Sequence, residues 1–409
     1  MLRSDWAAAC RGLGNGFWTF FVAALCFDLG FSIYMFLYSL LLLDFGFNEQ
    51  QLGLVVGAMT LGAMAGTLPM GVLAERVGLR RVLLTGFVVT PAIAALRPFF
   101  PNERAQIVLA FATGLALCFW QVCFSPATAS LTTEKNRTLA FSLMLSTGIA
   151  TGALGGLTGG WLPGWIEHMH LATGRADAKR VVLLACCAIF ALGAWPLARV
   201  RWQRTGIEPR KVLKFDPFLY RYLPALALWT LASGAIVPFA QVFLSRQMHL
   251  TLPKIGEAFS MAQIAEVATI LLAPIVFRRC GLVAGIAYTQ AAGGLALAGL
   301  ARAQTANAAM ALYAGFMAVH WMSGPGIYSL LMGRVAEAGR SMASAANNFA
   351  LKLCEAIASA VAGAAYVRFG YPTVLGTLAA MALLSSAAFV VLLRESPGRR
   401  AIAGAVTEC

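Results

Sequence analysis

The chain has 409 residues, of which 59% are hydrophobic and only 12% charged, with a mean hydropathy of +0.75. Soluble globules run at about half apolar and a quarter charged, so an ordinary soluble domain is excluded. The formal net charge of +14 would indicate nucleic acid only if basic residues clustered on a polar face; here they lie in short gaps between apolar runs, and no nucleic-acid partner is expected.

About twelve apolar runs approach the ~20 residues that span hydrocarbon. They are centred near residues 30, 60, 90, 115, 150, 190, 232, 268, 292, 318, 355 and 383. Gly, Ser and Asn dilute those near 60, 150 and 355. The first run is too long for a signal-peptide core and is expected to be retained. With the N-terminus inside, the inner gaps hold 21 of the 31 Lys and Arg, and the outer gaps nine, with Lys352 inside a span. The positive-inside rule then predicts an integral protein of the cytoplasmic (inner) membrane with both termini cytoplasmic.

Along the chain, each ionisable group inside a span needs a reason, because a mid-bilayer charge costs at least about 2.5–3.5 kcal/mol. Asp28 lies in the middle of "FFVAALCFDLGFSIYMF" with Phe31, Ser32 and Met35 on its helical face. It is a candidate proton carrier, or else a structural acid bonded across a cavity. Between the second and third runs the apolar pattern breaks at "GVLAERVGLRR" (71–81). At the outer end of span 3, Arg97 precedes Pro98 and reads as an interfacial snorkel. Span 4 carries Trp120 and Gln121, and span 5 carries "STGIATGALGGLTGG" (146–160), whose glycines suit close helix packing.

After the basic stretch 199–217, span 7 offers Trp229 and Gln241, and span 8 pairs Gln263 with Glu266 one turn apart. Glu266 is a second candidate proton carrier, a polar substrate contact, or helix glue. In span 10, His320 shares a stripe with Tyr313, Phe316 and Gly324, and the span also carries Trp321; His320 is either a proton relay or a structural histidine. In span 11, Asn348, Lys352 and Glu355 follow i, i+4, i+7. Lys352 and Glu355 either neutralise each other or meet an anionic substrate group. The aromatic and amide groups suit a moderately apolar organic ligand, while Trp and Tyr near span ends also serve as interfacial anchors.

The nine cysteines show no metal-ligand spacing, and the adjacent Cys186 and Cys187 make a poor disulfide. They read as small buried hydrophobes, and neither a metal nor another cofactor is expected. No Walker A loop, H-E-x-x-H or nucleophile–base set is present, which argues against an ATP-driven pump or an enzyme.

Sliding the chain on itself reveals a repeat at an offset of about 203 residues. "FGFNEQQLG" (45–53) aligns with "MHLTLPKIG" (248–256). Gly71, Glu75, Arg76 and Gly78 fall on Pro274, Arg278, Arg279 and Gly281, and "RTLA", from Arg137, falls on "RSMA", from Arg340. The chain therefore reads as two six-helix halves, 1–198 and 218–409, joined by the cytoplasmic basic linker 199–217. Parallel halves of this kind place a substrate site near mid-membrane at their interface.

Gly71, Glu75, Arg76, Gly78, Arg80 and Arg81 fit G-x-x-x-(D/E)-R-x-G-x-(R/K)-(R/K). On these residues, with the span count and the repeat, the chain resembles the major facilitator superfamily. The resemblance implies an all-α membrane protein of twelve transmembrane helices in two pseudo-symmetric bundles. Spans 3, 6, 9 and 12 would be peripheral, and the other eight would surround the cavity. It also implies a gating role for the motif, a latch on the cytoplasmic side while the protein faces outward; the competing reading is a turn with basic anchors. Gly71 is expected to let two helices approach closely there. The span 5 glycines partly resemble the exporters' motif without its proline. The position four before Gly114, where drug/proton exporters carry Arg, holds Ala110. The expected function is secondary transport of a small organic solute by alternating access, proton-coupled and outward, in a monomer. Proton-symport uptake, facilitated diffusion and, remotely, a non-transporting receptor are the alternatives.

Overall fold

The computed structural model describes residues 13–172, 174–200, 202, 217–335 and 340–393. Most of the predicted linker 199–217, the end segments with Cys10 and Cys409, and the Arg340 side chain lie outside what is described. Among the described residues the chain is all helix, with no strand. This follows from the solvent: hydrocarbon offers backbone amides no partner, so each span must satisfy its own.

The first half contains α1 (Asn15–Asp44), α2 (Glu49–Val77), α3 (Leu79–Leu96), α4 (Glu103–Ser130), α5 (Glu134–His168) and α6 (Arg175–Leu192). The second contains α7 (Leu219–Ile236), α8 (Leu252–Cys280), α9 (Leu282–Leu300) and α10 (Ala306–Arg334). A final helix, Arg340–Leu393, breaks at Gly370 (φ 76°) into α11 (340–369) and α12 (371–393). Counting that division, twelve membrane-length helices result. The helix with the weakest apolar signature is α10, which falls outside the spans recognisable by length and composition; its Gly, Ser and His lower its hydropathy. Hydropathy dilution is therefore greatest in α10 and not in the runs near 60, 150 and 355.

Local chemistry sets the ends. Asn48 and Gln51 close a reciprocal capping box at the start of α2, and Asn102 caps α4 by accepting from the Arg104 and Ala105 amides. Gly78 and Gly281 each end one helix and begin the next, with φ of 89° and 82°. These angles, with ψ near 150°, belong almost solely to glycine. The two residues stand 203 apart, so the sequence repeat is a repeat of backbone geometry.

Packing repeats as well. In the first half α1 packs on α5 and α6, and α2 on α4; in the second α7 packs on α11, and α8 and α9 on α10. Between the halves, α2 packs on α11 and α5 on α8. The repeat exchanges these two seams, since α2 corresponds to α8 and α5 to α11. The buried apolar residues divide unevenly. One continuous core runs through the second half and into α1 and α2 near Leu37, Leu41, Phe47 and Leu52. A separate core, including Phe17, Phe20, Phe87 and Phe119, fills the opposite end of the first half. The halves thus share a core at the end bearing the 45–48 turn, called here the loop end. They part toward the end bearing Arg76 to Arg81, the arginine end.

Candidate functional site

The seams between the halves, and the packing of α5 on α1 beside one of them, are built on glycine. Along α5, Gly155 and Gly159 lie against Ser32 and Phe36 of α1, and Gly148 faces Asp28: a Cβ there would lie 3.6 Å from Asp28 Oδ2. A second stripe, Gly152, Gly156 and Gly160, meets α8 at Gln263, Ser260 and Leu252. Ser260 Oγ donates to Ala153 O at 2.6 Å across this seam. On the other seam, Gly53 lies against Ser359 O, Gly363 against Glu49 O, and a Cβ at Gly57 would lie 3.1 Å from Ala356 O. Backbones this close leave no room for side chains, and dispersion between backbones holds the helices together.

A polar clamp closes the loop end. Glu49 at the start of α2 is 7% exposed. Its Oε2 accepts from Arg246 Nη1 at 2.8 Å, and its Oε1 accepts from Tyr371 Oη at 3.1 Å. Arg246 Nη2 also donates to Phe47 O at 2.8 Å. Arg246 gets there because α7 breaks into a 3-10 turn at Val237–Phe239 and resumes over Ala240–Arg246. The hydrogen bonds and ion pair described here between the two halves lie at this end or along the α5–α8 seam. The sequence reading missed the clamp; only the burial of an acid at a helix start would have hinted at it.

At the arginine end, the interactions described for Glu75 to Arg81, Arg278 and Arg279 include no bond to the other half. Glu75, Arg76, Gly78, Arg80, Arg81, Arg137, Arg278 and Arg279 are exposed. Arg80 Nη2 donates to Ala198 O within its own half at 2.8 Å. The expectation of close approach at Gly71 does not hold in this conformation: nothing lies within 4 Å of a Cβ there. The reason is the separation of the halves at this end.

Of the intramembrane ionisable groups, Asp28 is half-buried and has no hydrogen-bond or ion-pair partner among the described residues. Glu266 is 4% exposed, and its Oε1 has no partner. Across the α8–α10 packing, locked by Thr269 Oγ1 donating to Ala318 O at 2.8 Å, two more groups are orphaned. These are the Tyr313 hydroxyl and His320 Nδ1. His320 stacks between Phe316 and Trp229, with ring centroids at 5.8 and 5.5 Å, and meets Trp321 edge-on. Buried polar groups are normally paired, so three orphans within one half mark a place able to take water, a proton or a polar group of a ligand.

Lys352 and Glu355 form an ion pair at 2.8 Å, both about one-third exposed. Asn348 is exposed, whereas its neighbour Asn347 is fully buried and accepts from Tyr222 Oη at 2.8 Å. Gln263 lies against Gly152 in the α5–α8 seam. Gln121 and Trp321 are exposed, and Gln241 is buried. One predicted cavity residue is instead a core residue, and a second packs against a core's edge. Trp229 is 3% exposed and packs on Gly293 of α9. Trp120 is half-buried and stacks on Phe27 at 4.3 Å at the edge of the aromatic core of the first half. Hydropathy places a tryptophan on a span but cannot say which way its helix is turned. Arg97 is a further correction: it is 1% exposed and does not snorkel.

Twelve spans in two glycine-seamed halves, with unpaired acids beside the seams, define a membrane transport protein. The sequence pattern of the Major Facilitator Superfamily matches residues 20–359, and this chain belongs to that family. A search of the curated proteins found no sequence match. Among solved structures, the nucleoside transporter NupG superposes with a TM-score of 0.72 at 12% identity, over 94% of this chain and 100% of that one. A bacterial homolog of the human lysosomal transporter Spinster, inward-facing and occupied, gives 0.75 at 11% identity over 93% and 98%. A bacterial homologue of the iron transporter ferroportin, inward-facing, gives 0.74 at 14% over 93% and 99%. At these identities the likeness is one of fold.

Proposed function

We propose that this protein is a proton-coupled secondary transporter that exports a small organic solute by alternating access, working as a monomer. The observation that carries the reading is the pair of acids flanking the mobile seam. Asp28 of the first half faces α5, and Glu266 of the second is buried on α8, which packs on the other side of α5. An acid without a protein partner can load and release a proton as the seam opens and closes. His320, with its orphaned nitrogen, extends the same relay. The solute binds between the halves, where Gln263, Lys352, Glu355 and Trp321 supply polar and aromatic contacts. Arg76 to Arg81, Arg278 and Arg279 are cytoplasmic on the positive-inside rule, so this conformation faces inward. Gly71, Glu75 and Arg76 latch the halves only in the outward-facing state. Export is preferred to uptake on the partial likeness of the α5 glycines to the exporters' motif, a likeness that close packing also explains.

Proteoliposomes test this. Asp28→Asn and Glu266→Gln are each expected to abolish pH-gradient-driven accumulation in inside-out vesicles while leaving solute counterflow largely intact. Unchanged accumulation in both variants would remove the acids from the mechanism. Absence of counterflow with any solute in a broad screen would favour a receptor.

A further inference from the structure

Arg80 and Arg81 occupy the first turn of α3, where no acid accompanies them. Cations are disfavoured at that end of a helix and favoured at the other. Both arginines are exposed, and neither joins an ion pair found among the described residues. The turn at Gly78 does not require them. Gly281 makes the same turn in the second half, and the positions 203 residues on from Arg80 and Arg81 hold Val283 and Ala284.

A third arginine stands beside them. Past Gly193, the short helix Ala194–Arg199 continues α6. Arg80 Nη2 donates to Ala198 O at 2.8 Å, one residue from Arg199. A guanidinium carries several N–H donors, and this bond uses one of them. The Arg199 guanidinium lies over the Trp195 ring at 3.7 Å, and both side chains are exposed. From this corner toward mid-membrane the surface is apolar. There α3 and α6 lie side by side, with Phe87 packed on Phe190 at 5.5 Å and against Gly193. Outside that contact Val88 and Val89 of α3 and Leu192 of α6 are exposed.

We propose that the corner between α3 and the helix Ala194–Arg199 binds an anionic glycerophospholipid. Its phosphate is held by Arg80 and Arg199, and its acyl chains lie along the exposed faces of α3 and α6. Charge complementarity chooses the headgroup. Guanidinium groups pair well with phosphate oxygens, Arg81 adds to the positive field, and a zwitterionic lipid would bring its own ammonium into that field. The apolar faces choose a lipid over a soluble anion, which could meet the arginines but gain nothing from the surface beside them. On the positive-inside rule the site lies in the cytoplasmic leaflet. The inference goes beyond the transport reading and stands whatever the cargo or coupling ion.

The test is native mass spectrometry of the full-length protein, titrated in detergent with dioleoyl phosphatidylglycerol or dioleoyl phosphatidylcholine. One phosphatidylglycerol is expected to be retained in clear preference to phosphatidylcholine. An arginine near anionic lipid contributes about fivefold in affinity. Arg80→Gln and Arg199→Gln should therefore each weaken the binding about fivefold, and together they should erase the preference. Arg199→Gln carries the test should Arg80→Gln misfold, because it forfeits only the contact with the Trp195 ring. Replacing both Arg278 and Arg279 by Gln, equally exposed at the same end of the second half, should leave the binding unchanged, as should added inorganic phosphate. No preference for phosphatidylglycerol in the wild type would overturn the proposal. So would an equal loss in the Arg278 and Arg279 variant, unchanged binding in Arg199→Gln, or displacement of the lipid by inorganic phosphate.

Discussion

The clamp at Glu49 offers a quantitative handle on alternating access. Glu49→Gln keeps the shape and the Tyr371 contact but removes the charge that Arg246 meets. A hydrogen-bonded charge of this kind contributes about 1.5–3 kcal/mol when buried. The Glu49 side chain is 10% exposed, but that of Arg246 is 38% exposed, so solvent screening lowers the figure toward that of surface pairs. About 1.4 kcal/mol is a reasonable value, which is a factor of ~10 in an equilibrium constant. Because the clamp exists only with the loop end closed, the substitution should shift the balance toward the opposite state by that factor. Spin labels at Arg81 and Arg279, exposed at the arginine end of each half, report the shift by double electron–electron resonance. The background needs Cys280 replaced, because it too is exposed. A short-distance population should grow about tenfold in Glu49→Gln. Arg246→Gln should do the same, and the double variant should add little. Identical distance distributions, or fully additive effects, would refute the reasoning.

Other predictions follow from the glycines. Gly78→Ala and Gly281→Ala should each destabilise by about 1–3 kcal/mol, because both backbones sit where only glycine is at ease. Gly71→Ala should cost nothing, and thermal unfolding in detergent separates the three. In α5, Gly156→Leu should push α8 away and break the Ser260–Ala153 bond, at about 1–3 kcal/mol of overpacking. Gly148→Ala meets only ordinary contact distances and should leave the label distances unchanged. If Gly156→Leu leaves them unchanged too, the α5–α8 seam is not a moving contact.

Much of the fold was legible because a bilayer reduces structure to quantities that run along the chain. Apolar length counts spans, and even α10, with its dilute hydropathy, was found. The 203-residue offset paired Gly78 with Gly281, and the φ angles show why: each must turn a helix sharply into the next. The spacing of Lys352 and Glu355 places them within reach, and they are paired. Asp28 and Glu266 stood out because a charge in hydrocarbon is conspicuous in any sequence.

The rest depended on how each helix is rotated and on what it meets. Trp229 went into a core and Trp120 against the edge of one, Asn347 rather than its neighbour took the buried bond, and Arg97 turned inward instead of toward the interface. Glu49 and Arg246 look like ordinary span-end charges, and 197 residues separate them. By itself the sequence determined the class, the number of spans, the repeat and the list of misfit charges, because hydropathy and charge are sums over local residues. Only the tertiary structure decided which end is closed, which acids lack partners and where a lone arginine points. Those outcomes come from glycine-mediated contacts between distant helices, whose rotation no local sum contains.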